Sequence, residues 1–192
     1  MKKIIHVIVI LVFSLSNLTA QDHKTALLLI DIQDFYFPGG KSVLVEPAKA
    51  AYNAAKLLDY FRVEKMLVVH IRHNSEAGGK INDIVKPLPD EKIFSKDEVN
   101  CFKGTDLLAF LKENKTDTLV ICGMQTHMCV EAATRAATDL GFNCILIHDA
   151  CATKDLKFGD KIIKAEDVHN STLATLRSYS KVVGTQEFLT KK

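Results

Sequence analysis

Of the five cysteines in this chain, Cys129 is the one placed for chemistry. Residues 119–122 form a short apolar run, long enough for a buried strand and too short for a core helix. Gly123 breaks that run. From about Met128 the small and apolar residues change to helical spacing, with Val130, Ala133, Ala137 and Leu140 on one face. Thr126 suits the N-cap and Gly141 the C-terminal stop. The pattern predicts strand, tight turn and helix, with Cys129 in the first helical turn. A thiol there meets the positive end of the helix dipole and free backbone N–H groups, which favour thiolate. The same pattern also suits a cysteine that is only a small buried hydrophobe. Asp31 and Lys96 divide the same way. Asp31 ends an apolar run ahead of an aromatic loop, a position where aspartate often caps a turn. Lys96 lies in a charged stretch and on its own reads as a solvated surface lysine.

The elements that would position these residues follow from periodicity. Residues 26–30 and 66–71 are continuous apolar strands, and residues 144–147 form a third that ends at His148 and Asp149. Pro47 opens a helix carried by Ala48, Ala51, Ala55, Leu58 and Phe61. Leu107, Leu108 and Leu111 mark a short helix. Residues 165–179 give a longer one, and Val182 with Val183 a last short strand. Residues 72–103 carry charge, glycine and proline without a long period, and read as excursion loops over one end of the sheet. Strands apolar throughout, alternating with amphipathic helices, predict a single-domain three-layer α/β/α sandwich with a mostly parallel, doubly wound sheet. Ligands in such sheets bind at the carboxyl ends of strands, where Asp31, the turn before Cys129 and Asp149 all fall.

The chain opens Met-Lys-Lys, continues through an apolar run over residues 4–13, and reaches Ala20 by small and polar residues. That layout predicts a cleavable signal peptide over residues 1–20 and a secreted or periplasmic mature domain over residues 21–192. The apolar run is shorter than the ~20 residues a membrane span requires. Lys2 and Lys3 account for the net charge of +2, so the mature chain is neutral. Neutrality removes the electrostatic case for nucleic acid or an anionic membrane as partner. A small-molecule substrate remains. No CxxC motif and no zinc-like Cys/His spacing occurs, and Cys122 and Cys144 sit in apolar runs that predict burial.

Taken together, three stretches resemble the isochorismatase-like cysteine hydrolase superfamily, which includes nicotinamidases and N-carbamoylsarcosine amidases. They are Leu-Leu-Ile-Asp-Ile-Gln-Asp-Phe (28–35), the stretch around Lys96 through Phe102 and Thr105, and Gly-Met-Gln-Thr-His-Met-Cys-Val (123–130). The resemblance runs from about residue 26 to residue 189 and implies a catalytic triad of Asp31, Lys96 and Cys129. It further implies a cis peptide between Met124 and Gln125, and an oxyanion hole from the backbone N–H groups of Gln125 and Cys129. Gln33, Phe35, Arg72, His73 and Phe102 are the expected substrate-pocket residues. A homo-oligomer is expected too, since members of the family commonly associate.

The chain departs from the nicotinamidases at their Asp-x-His metal motif, where His70-Ile71-Arg72-His73-Asn74 stands without an Asp. No metal or other cofactor is therefore expected, His70 and His73 read as strand-end residues, and Arg72 or His73 is free to recognise a polar substrate group. The function expected is cleavage of a C–N bond in a small amide, carbamoyl or ureido substrate through a Cys129 thioester. Vinyl-ether hydrolysis and a catalytically silent binding protein of the same fold are the alternatives. The leader gives the first test. Intact-mass measurement of the exported protein is expected to show a chain beginning at or near Gln21, and retention of residues 1–20 would overturn that expectation.

Overall fold

The computed structural model describes residues 24–75 and 79–190; the expected signal peptide lies outside them. In chain order the elements are β1 (Lys24–Ile30), α1 (Pro47–Val63), β2 (Leu67–His73), β3 (Lys92–Lys96), α2 (Leu107–Glu113), β4 (Thr116–Met124) and α3 (Glu131–Asp139). They continue with β5 (Asn143–Ala152), β6 (Leu156–Phe158), β7 (Lys161–Ile163), α4 (Ala165–Leu176), β8 (Lys181–Val183) and α5 (Thr185–Thr190). Six strands form one sheet in the order β3-β2-β1-β4-β5-β8, every pair parallel. The antiparallel hairpin β6–β7 stands apart from it.

The sheet is covered on both faces because its strands are apolar on both. Leu27, Leu29, Val68, Val120, Cys122 and Ile147 pack with the Ala50, Ala54, Leu57 and Phe61 side of α1 and with Phe188 of α5. Leu28, Ile30, Val69, Ile71, Leu119, Ile121 and Leu146 pack instead on α2, α3 and α4 through Leu107, Leu111, Ala133, Ala137, Leu173 and Leu176. Each such fully buried large aliphatic side chain contributes roughly 1.5–3 kcal/mol relative to exposure. The expected doubly wound three-layer architecture is the one observed. Among the described residues no helix is long and apolar enough to cross a membrane.

Two local expectations are corrected. Residues 72–103 are not loops throughout, since Lys92–Lys96 adds a parallel strand at the sheet edge. Only Phe94 and Lys96 of that strand point inward, so it shows no apolar run that a sequence reading could detect. Leu140 is 40 % exposed rather than part of the buried face of α3, because the helix has already ended at Asp139. The segment ahead of β3 is tied down by Glu91, whose carboxylate accepts Arg62 Nε of α1 at 2.7 Å and the Leu88 N–H at 2.9 Å. His70 of β2 completes the knot at 3.0 Å. Burial pushes Glu91 up, but the Arg62, Leu88 and His70 bonds prevail and hold its pKa down at about 2.

The break between β1 and β4 is where the strand order reverses, since the chain moves outward from β1 through β2 to β3 and then returns to β4 on the other side. Gly123 makes the close approach there possible. It pairs with Ile30 across β1–β4 at a φ of +132°, and a Cβ at this position would collide with the Ile30 carbonyl oxygen. Both the φ and the space exclude a side chain. Gly123→Ala is expected to destabilise the protein by about 3 kcal/mol or more, lowering Tm by ~6–12 °C. A thermal melt within a degree or two of the wild type would contradict this account of the approach.

Candidate active site

The reversal point opens between the carboxyl ends of β1 and β4, the place where open parallel sheets hold ligands. Asp31 is the first residue beyond β1, with a φ of +50° that is uncommon for a residue with a side chain. Its N–H donates to the Ile71 carbonyl at 3.0 Å, so the chain turns while still anchored to β2. Lys96 is the last residue of β3 and lies opposite His73 in the β2–β3 register. Cys129 follows β4 by way of a cis peptide at Met124–Gln125 and a single π-helical turn over Thr126–Val130. The Met128 and Val130 N–H groups both donate to the Gln125 carbonyl, at 3.0 and 3.3 Å. Turns of this kind recur at functional sites.

These three segments converge on one ammonium. Lys96 Nζ lies 2.7 Å from Asp31 Oδ2, 3.3 Å from Cys129 Sγ and 3.3 Å from His73 Nδ1. Asp31 and Lys96 are shut off from solvent, at 0 % and 1 % exposure, and Cys129 is 6 % exposed. Burial pushes the Asp31 carboxyl up, against the pull of Lys96. Burial works against the Lys96 ammonium too, but Asp31 and Cys129 hold its pKa above the ordinary range. The Cys129 thiol is pushed up to about 12, first by burial and then by the facing Asp31 carboxylate, with Lys96 opposing. This corrects the expectation that the helix dipole would favour a thiolate. In the resting site the proton stays on sulfur, beside a carboxylate able to receive it.

The expected pocket residues separate. His73 is in the cluster. Arg72, its neighbour on β2, projects to the opposite face of the sheet, among Leu88, Glu91 and Ile93, as strand alternation requires. Gln33 is buried and its amide is fully occupied. Nε2 donates to the carbonyls of His73 at 3.0 Å and Gly79 at 2.8 Å, and Oε1 accepts the His73 N–H at 2.7 Å. It clamps backbone rather than lining a pocket. Phe35 packs edge-on to Tyr36 at 4.3 Å, and Phe102 stacks on Phe142 at 6.2 Å.

Several supports were not legible in the sequence. Gln125 Nε2 donates to Tyr36 Oη at 3.3 Å, linking the aromatic loop to the nucleophile turn. Thr126 does not cap the helix, because its hydroxyl is engaged with His169 Nδ1 of α4 at 2.9 Å. His127 Nδ1 meets Thr153 Oγ1 at 2.6 Å. A Thr or Tyr hydroxyl paired across 26 to 89 residues leaves no local pattern to find. All five cysteines are unpaired and buried, Cys122 and Cys144 as expected. His70 bonds Glu91, on the side of the sheet away from Cys129.

The parallel sheet in the order β3-β2-β1-β4-β5-β8, covered by helices on both faces, is the isochorismatase-like α/β fold. The chain belongs to the isochorismatase family: residues 25–187 match the Isochorismatase domain. It is 44 % identical to the uncharacterized isochorismatase family protein YddQ of Bacillus subtilis over 177 residues, covering 86 % of this chain and 98 % of the relative. A crystal structure of an isochorismatase hydrolase from Oleispira antarctica matches with a TM-score of 0.85 at 40 % identity, covering 88 % of this chain and 98 % of that one. A streptothricin hydrolase of Streptomyces noursei is 33 % identical over 140 residues, 68 % of this chain and 50 % of its own length.

The electrostatics make a prediction whose sign is worked out from the neighbours. A carboxylate beside a thiol disfavours its ionisation and an ammonium favours it. Asp31→Asn removes the opposing charge and leaves Lys96, so the Cys129 thiol is expected to titrate at lower pH than in the wild type. Lys96→Met should move it the other way or leave it beyond reach. Thiolate absorbance followed against pH checks both, and an unchanged or raised titration in Asp31→Asn would contradict the assignment.

Proposed function

We propose that this protein is a secreted cysteine hydrolase that cleaves a C–N bond of a small amide, carbamoyl or ureido substrate. The observation that carries the reading is the Lys96 ammonium held between Asp31 and Cys129 at the sheet's reversal point. In this reading Asp31 takes the Cys129 proton as sulfur attacks the carbonyl, and returns it to the departing nitrogen. A base with an elevated pKa is suited to accept a proton near neutral pH. Lys96 stabilises the charge that develops on sulfur. Backbone N–H groups of Gln125 and Cys129 receive the oxyanion, and water then releases the thioester. Cleavage of a vinyl ether has no step that requires a thiol nucleophile, which is why Cys129 favours acyl chemistry. The hydrolase named for streptothricin, the similar protein from Streptomyces, is consistent with such a role. Export rests on the leader over residues 1–20. A homo-oligomer rests on apolar surface left open by the monomer, notably Phe158 and Ile162 on the β6–β7 hairpin.

A screen of small amides, carbamoyl and ureido compounds for ammonia release tests the reading. Cys129→Ala is expected to abolish release, and Asp31→Asn to keep the fold while losing ~10²–10⁴ in rate. Pyruvate as the product, with Cys129→Ala still active, would move the assignment to ether hydrolysis. No turnover, together with a Cys129 thiol no more reactive than a free one, would leave a silent protein of this fold.

A further inference from the structure

We propose that His73 is the positioning residue for Lys96, and that it acts only as the neutral Nε2–H tautomer. The inference rests on the reading of Cys129 as the nucleophile. An ammonium has three N–H donors and no acceptor. Lys96 has three polar neighbours, Asp31 Oδ2, Cys129 Sγ and His73 Nδ1. With the Lys96 side chain fully buried, each neighbour is needed, because an unmet N–H on a buried cation has no water to turn to. The His73 contact must therefore run from Nζ to an unprotonated Nδ1. That leaves the ring proton on Nε2.

The backbone around His73 is built to hold this contact. His73 faces Lys96 directly in the β2–β3 register, so the two side chains leave the sheet on the same side. Gln33 grips both the N–H and the carbonyl of His73, at 2.7 and 3.0 Å. One residue further on, the Asn74 N–H donates to the Lys96 carbonyl at 2.8 Å, and Asn74 Nδ2 reaches Asp97 at 2.7 Å. The ends of β2 and β3 are thus tied together on both sides of the imidazole. Without His73 the ammonium is free to rotate about its last bond, and its hold on Cys129 is shared with other orientations.

The test uses the mature protein with iodoacetamide as the probe, following alkylation at Cys129 by peptide mass. His73→Ala is expected to slow alkylation about tenfold to hundredfold, the loss typical of a hydrogen bond to a charged group. His73→Asn should restore most of the rate, since the Asn Oδ1 is an acceptor at the position of Nδ1. A purely structural or substrate-contacting role would not give that rescue. Equal rates in all three proteins, or an Asn variant as slow as the Ala variant, would overturn the proposal. Nitrogen-15 NMR of wild-type His73 provides the second measurement, needed if His73→Ala fails to fold. The Nε2–H tautomer supports the proposal and the Nδ1–H tautomer overturns it. Failure of the underlying hydrolase reading would look different, as turnover that survives Cys129→Ala, whichever tautomer His73 adopts.

Discussion

A single buried cation organises the carboxyl end of this sheet. Moving an ammonium out of water is expensive, and proteins do it only when the charge is met by an opposite charge and its hydrogens are all engaged. Lys96 meets the first condition through Asp31, 2.7 Å away, and has Cys129 Sγ and His73 Nδ1 within hydrogen-bonding distance. The requirement spreads outward. Asp31 must turn sharply at the end of β1, β3 must run parallel to β2 in the register that brings Lys96 to His73, and Gln33 must hold the end of β2 in place. Loss of Asp31 in particular would leave the Lys96 charge inside the protein without its partner.

The cation favours a Cys129 thiolate but does not prevail. Burial and the Asp31 carboxylate both oppose a thiolate, and one ammonium shared among three neighbours does not overcome them. The site is therefore poised rather than preionised. A carboxylate and a thiol sit side by side, with the ammonium touching both. Proton transfer from sulfur to Asp31 moves charge by only a few ångströms within a preorganised shell, which is the kind of step such a shell makes inexpensive.

Topology supplies the room. At the reversal of strand order the chains leaving β1 and β4 diverge, and Gly123 lets the two strands run close together immediately before they do so. The π-helical turn over Thr126–Val130 then places Cys129 just ahead of the regular helix α3, which begins at Glu131. Side-chain bonds from Thr126 to α4, His127 to the end of β5, and Gln125 to Tyr36 hold the turn from three directions.

The sequence by itself determined the layered architecture, because apolar runs of strand length alternating with helical periods leave few other ways to bury both faces. It also located Asp31 and the turn leading to Cys129 at strand ends, where a break in the apolar run is a local signal. Lys96 had no such signal. It lies inward on an edge strand with only one other buried residue, and its ammonium is acceptable there solely because residues 31, 73 and 129 surround it. Only the tertiary structure could decide that Gln33 clamps backbone, that Arg72 faces away from the site, and that Thr126 bonds a distant histidine instead of capping a helix. Periodicity reports which face a residue occupies relative to its own neighbours in the chain. Charge state and hydrogen-bond partners depend on residues tens of positions away, and those meet only when the sheet has formed.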